Sequence, residues 1–159
     1  MRTQTAPAGL GKRFLAIIYD LLIAFFFSLI ITLIIQSLLI GSGLVELESV
    51  QISKTETIST IPADSTVNMI LTSLWLLIPF LYFGYFWTKK GQTLGMKAWR
   101  VKAISNNNSD ISWMQSILRF FGALFGLGFL WMIADKEHLP LQDRLSKTRI
   151  INERPKIKK

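Results

Sequence analysis

No cysteine occurs anywhere in the 159 residues, and there is only one histidine, His138. A disulfide framework, a thiolate nucleophile and a Cys-based metal site are therefore excluded, and a lone imidazole makes no metal site. Charge is missing over two long stretches: Leu21 to Val45 is twenty-five residues without Asp, Glu, Lys or Arg, and Ser65 to Thr88 is twenty-four more. Strict apolar/polar alternation is missing from both, so they read as helices rather than strands. Also absent are paired catalytic carboxylates, a phosphate-cradling loop and a credible Ser/His/Asp arrangement. Enzyme activity is not expected, nor is a cofactor.

What is present is hydrophobic: half of the residues are apolar, and they come in blocks. A bilayer core of roughly 30 Å needs about 20 apolar helical residues to cross it. Each uncharged block meets that length, which points to an integral membrane protein. The first block is too long for the h-region of a cleaved signal, usually about 7–15 residues, and no A-x-A-like site closes it. An uncleaved signal-anchor helix is expected.

The formal charge is +8, yet its placement argues against nucleic acid. Residues 1–19 carry Arg2, Lys12 and Arg13 and no acid, whereas 41–64 carry Lys54 against Glu46, Glu48, Glu56 and Asp64. Residues 89–110 carry five basic side chains against Asp110, and the stretch from Asp135 holds eight basic and four acidic ones. Basic flanks mark the cytoplasmic side. The N-terminus is expected inside, 41–64 outside and 89–110 inside, with the basic tail near anionic headgroups.

The spacing predicts helix 1 over about 12–39, ended by the "GSG" at 41–43, an external loop of weak order over 41–64, and helix 2 over about 66–87. Pro79 should kink helix 2, and Tyr82, Tyr85 and Trp87 should form an interfacial belt at its inner end. In the cytoplasmic segment 88–111, "AWRVKAI" has strand character closed by the turn residues "NNNSD". "KTRIIN" near the C-terminus is similar, and the two are expected to pair as a small cytoplasmic β ribbon. "SWMQ" at 112–115 is a capping box that opens helix 3, about 112–134. Its uncharged part, Phe120 to Ala134, is only fifteen residues, and a full crossing would place the basic tail outside. A re-entrant hairpin bent near Gly126 and Gly128 is preferred, with a third crossing as the alternative, ahead of a cytoplasmic tail over 135–159. The fold class expected is an all-α membrane protein. It has two transmembrane helices, a third membrane-inserted segment and the β ribbon, all in a single domain.

Four charges stand out. Arg13 and Asp20 lie in one helix, seven residues and roughly 10 Å apart, and helical side chains lean toward the N-terminus, so Arg13 leans away from Asp20. Each needs a partner from elsewhere. Matched depth makes Arg119 the candidate for Asp20, and Asp143 at the inner surface the candidate for Arg13. Three readings stay open: side chains at the headgroup boundary, a structural ion-pair lock, or a proton or cation relay through Asp20. "GQTLG" at Gly91–Gly95 matches a helix-dimerisation pattern but sits in a polar turn. Gly122, Gly126 and Gly128 are expected to allow close helix approach.

Three blocks carry a family resemblance: "AGLGKRFLAIIYDLLI", "GQTLGMKAWRVKAIS" and "WMIADKEHLPLQDRLSKTRII". Together they resemble the RDD family of small bacterial membrane proteins. That resemblance assigns Arg13, Asp20 and Asp143 to the three charges that give the family its name. It implies a bacterial cytoplasmic membrane and a role in transport or cation/proton exchange; two or three helices are few for a solute path, so a homo-oligomer is expected to enclose one. A non-catalytic scaffold or assembly factor with a protein partner at the cytoplasmic face is the alternative.

Overall fold

The computed structural model describes residues 7–53, 56–124 and 140–153. The bend expected near Gly126 and Gly128, the rest of the 112–134 segment beyond Leu124, and His138 lie outside them. Two long helices dominate. The first, α1, spans Leu10–Gly41, and α2 spans Thr66–Lys90. Both are longer than the sequence suggests, and both are long and apolar enough to cross a membrane. Gly41 closes α1, and Gly43 follows with φ 69°, a conformation that glycine adopts without a Cβ clash. The helix α2 continues through Pro79, with Lys89 and Lys90 in its last turn. The contacts divide the chain into two units, residues 24–79 and residues 1–23 with 80–159, and the boundary falls within α1 and α2.

In the unit of residues 24–79, the expected loop of weak order contains an antiparallel hairpin. Its strands are β1, Glu48–Gln51, and β2, Thr57–Thr60, with Val50 opposite Ile58. The β-branched residues of "VQI" and "TIST" favour extended backbone. Their alternation within a polar stretch was too short to stand out. Ser65 then starts α2, its Oγ accepting from the Asn68 amide at 3.1 Å.

The other unit is built around a small ribbon. After α2 comes a short helix α3, Leu94–Ala98, then β3, Val101–Ser105, α4, Trp113–Leu124, α5, Leu141–Leu145, and β4, Thr148–Asn152. The strands β3 and β4 pair antiparallel with Ala103 opposite Ile150, as the sequence suggests. Val101, Ala103, Ser105, Thr148 and Ile150 turn inward on one face of the ribbon. Each outer edge of the ribbon makes backbone hydrogen bonds with a neighbouring segment, as protected sheet edges do. The Ala8 amide donates to the Ile150 carbonyl at 3.0 Å, and the Ala103 amide donates to the Gly91 carbonyl at 2.8 Å. Gly91 has φ 64°, and a Cβ there would stand 2.9 Å from the Ala103 carbonyl oxygen, so glycine is required twice over.

Around the ribbon lies an apolar core that includes Ala8, Ala16, Trp87, Met96, Val101, Ile111, Phe120 and Ile150, with Phe80 and Phe83 packed against it. Tyr82 and Trp87 are buried rather than arrayed as a belt, and only Tyr85 is exposed. The Tyr82 hydroxyl and the Trp87 ring are used internally, as described below.

Candidate functional site

The capping box at the start of α4 is closed in both directions. The Gln115 amide donates to Ser112 Oγ at 3.3 Å, and the Ser112 amide donates to Gln115 Oε1 at 3.1 Å. The same Gln115 side chain reaches further: its Nε2 donates to Ser105 Oγ at 3.1 Å and to the Ser146 carbonyl at 3.0 Å. One residue thereby ties α4 to the end of β3 and to the turn before β4. This cap sets the phase of the helix, so that Arg119 one turn on points inward.

Asp143, on α5, is 1% exposed and receives two guanidinium groups. Arg119 Nη1 lies 2.6 Å from Asp143 Oδ1, and Arg13 Nη1 lies 3.6 Å from Oδ2. The ion pair expected between Arg13 and Asp143 is present. Arg13 also donates from Nε to the Ala8 carbonyl at 2.9 Å and from Nη2 to the Ile150 carbonyl at 3.3 Å. Arg119 donates to Thr148 Oγ1, and its guanidinium sits over the Trp87 ring, 4.9 Å from the centroid. Thr148 Oγ1 is 2.7 Å from Ser146 Oγ, which donates to the Gln142 carbonyl at 2.6 Å. Thus α1 and α4 meet on the α5 carboxylate, and their two guanidinium groups in turn hold the N-terminal segment, β4 and the Trp87 ring of α2. Gly122 makes the approach of α4 and α5 feasible, since a Cβ there would stand 3.0 Å from the Gln142 Cα.

Asp20 occupies a separate, neutral-lined setting and does not pair with Arg119. Its Oδ1 accepts from the Tyr82 hydroxyl at 3.1 Å and from the Gly95 amide at 2.9 Å, and its Oδ2 accepts from the Thr93 hydroxyl. Those hydroxyls are themselves oriented by α3. Thr93 Oγ1 accepts the Met96 amide at 3.2 Å, and Tyr82 Oη accepts the Leu94 amide at 3.4 Å, which leaves both hydroxyl protons free for Asp20. The carboxylate thus caps α3 from another helix, directly at Gly95 and through a hydroxyl at Leu94 and Met96.

Depth matching failed for a physical reason. It weighed only ionic partners, whereas hydrogen bonds to a charged group contribute about 1.5–3 kcal/mol each. Three neutral donors therefore rival the several-kcal/mol desolvation penalty of a buried ion. The "GQTLG" turn also has a use that the sequence reading passed over, because Gly95 is buried in α3. A Cβ at Gly95 would overlap the Ala16 carbonyl and stand 2.8 Å from Asp20 Cγ. Thr93 could have been found, since Thr three residues before Met96 follows the N-cap rule; Tyr82 and Thr148 carried no such local signal, and Gln115 was signalled as a cap but not as a tie to Ser105 and Ser146.

The chain matches the model of the RDD family over residues 7–147. It is also 32% identical over 155 residues to the uncharacterized protein YxaI of Bacillus subtilis (strain 168), covering 91% of this chain and 97% of that one. No solved structure matches.

Proposed function

This chain belongs to the RDD family, and from that premise we propose that it is a multi-pass protein of the bacterial cytoplasmic membrane. In this reading its N-terminus is inside and its buried charges clasp a headpiece at the inner surface. The observation that carries it is inverted burial. Arg13, Asp20, Arg119 and Asp143 are each 5% exposed or less, while Leu22, Phe26, Ile30, Ile34 and Leu38 on α1 are each more than half exposed. A protein folded for water shows the opposite, and a contiguous apolar surface of this extent suits lipid. The helix α4 follows the same rule: Trp113, Met114, Leu118 and Phe121 face out, and Ser116 and Arg119 face in. That supports a third element held in the membrane.

The arrangement suits a non-catalytic scaffold or assembly factor. Exposed Lys89, Lys97 and Arg100 would meet anionic headgroups at the inner face, and the ribbon unit would hold a protein partner. Transport or cation/proton exchange by a homo-oligomer is the second reading. It is favoured by one observation, that an acid lies inside a helix otherwise fit to span. Against it, all three hydrogen bonds to Asp20 serve α3 and its neighbours, a structural assignment for the carboxylate.

Purified protein in liposomes under an imposed sodium or proton gradient separates the two. The scaffold reading expects no flux above that of empty liposomes. Flux that disappears in a still-folded Asp20→Asn variant would overturn it in favour of exchange.

A further inference from the structure

The hairpin β1–β2 has two unlike faces. Side chains alternate along a strand, so the pairs Ser49–Ser59 and Gln51–Thr57 share one face, and Val50–Ile58 lies on the other with Glu48–Thr60. The Ile52 amide donates to the Glu56 carbonyl at 3.0 Å, which carries the ladder one pair further and puts Ile52 on the Val50 face. Val50, Ile52 and Ile58 are all exposed, as are Leu44 and Leu47 on the connection from α1. An isolated two-stranded hairpin is marginal in water, so a ribbon that exposes Val50, Ile52 and Ile58 on one face, flanked by Glu48 and Glu56, calls for a cover.

From these features we propose that the Val50–Ile52–Ile58 face lies in the headgroup layer of the membrane, on the side where α1 ends and α2 begins. The inference rests on the membrane reading above. Chain connectivity supplies the first argument. Six residues separate the end of α1 at Gly41 from the start of β1, and five separate β2 from the start of α2. Ile61, directly after β2, is buried. Such short tethers hold the ribbon beside the helix ends, where the exposed apolar side chains of α1 and α2 continue onto Leu44 and Leu47. Amphipathic helices seat their apolar face roughly 5–10 Å into the interface, and the Val50–Ile52–Ile58 patch would sit in the same layer.

Charge chooses among the occupants. Residues 41–64 carry four acids and one lysine, so a second copy of the same ribbon would be repelled. An anionic lipid layer is disfavoured for the same reason. Zwitterionic headgroups fit, because their ammonium groups can meet the carboxylates of Glu48 and Glu56, which share the apolar face.

The absence of cysteine makes the test direct. Single variants Val50→Cys, Ile58→Cys, Ser49→Cys and Ser59→Cys would each carry one environment-sensitive fluorophore, in nanodiscs of phosphatidylcholine. Shallow spin-labelled lipid should quench positions 50 and 58 several-fold more than 49 and 59, and aqueous iodide should do the reverse. Equal iodide access at all four positions would overturn the proposal. So would shielding of 50 and 58 that persists in detergent and scales with protein concentration, which would indicate a second copy. A label at Ile34→Cys on α1 keeps the two readings apart: if it escapes deep quenchers as well, the membrane reading itself fails.

Discussion

Asp143 holds two guanidinium groups on one carboxylate, so its neighbours are not equally important. Asp143→Asn would leave Arg13 and Arg119 buried together without a counter-charge, and breaking a buried pair in this way costs about 3–5 kcal/mol. Arg119→Met would leave Asp143 with Arg13 at 3.6 Å and keep an apolar stem over Trp87. Thermal unfolding in mild detergent should rank the natural protein above Arg119→Met, and Arg119→Met above Asp143→Asn; the reverse order of the two variants would contradict the assignment. Exchanging Asp20 and Arg119 should recover nothing lost by the single changes, since the two do not share a contact. Gly95→Ala should cost about 1–3 kcal/mol by overpacking, whereas Gly41→Ala, with open space around it, should be silent in the same melt. At this scale the Arg13–Asp143 contact was legible because both residues looked ionic and lay at one depth. The setting of Asp20 was not, because its partners are a tyrosine, a threonine and a backbone amide whose meeting depends on α3.

Among the elements, α4 depends most on a single polar side chain. Gln115 Nε2 faces Ser105 Oγ and the carbonyls of Ser146 and Lys147. Gln115→Ala should cost about 1–3 kcal/mol through the acceptors left unpaired, and Gln115→Glu should be worse, because a carboxylate oxygen there would face the Ser146 and Lys147 carbonyls with no proton to offer them. Unfolding of the purified variants checks the order, and a Glu variant as stable as the natural protein would contradict it. The capping box was legible because it is local, with Ser and Gln three residues apart. The lateral reach of Gln115 was not legible, because Ser105 and Ser146 come close only after β3 and β4 have paired. Period and length carried α1 and α2 for the same reason that the box was read: each is decided by contiguous residues. The hairpin β1–β2 was missed because its apolar residues are few and spread among serines and threonines.

Across the whole molecule, the charges that interrupt the apolar blocks are spent on joining distant parts of the sequence. Asp20 joins α1 to α3, and Asp143 joins α5 to α1 and α4, whose arginines bond the N-terminal segment and β4. Such a clasp should act as one cooperative piece, because its members share partners and their losses do not add independently. The apolar blocks and their order were legible in the sequence alone, while the convergence on one carboxylate required the tertiary structure. Hydrogen–deuterium exchange on the detergent-solubilised natural protein and its Asp143→Asn variant tests that convergence. The account predicts joint loss of protection in three separate stretches: residues 7–13, 113–124 and 148–152. Loss confined to residues 140–146, with the N-terminal segment and β4 still protected, would contradict it.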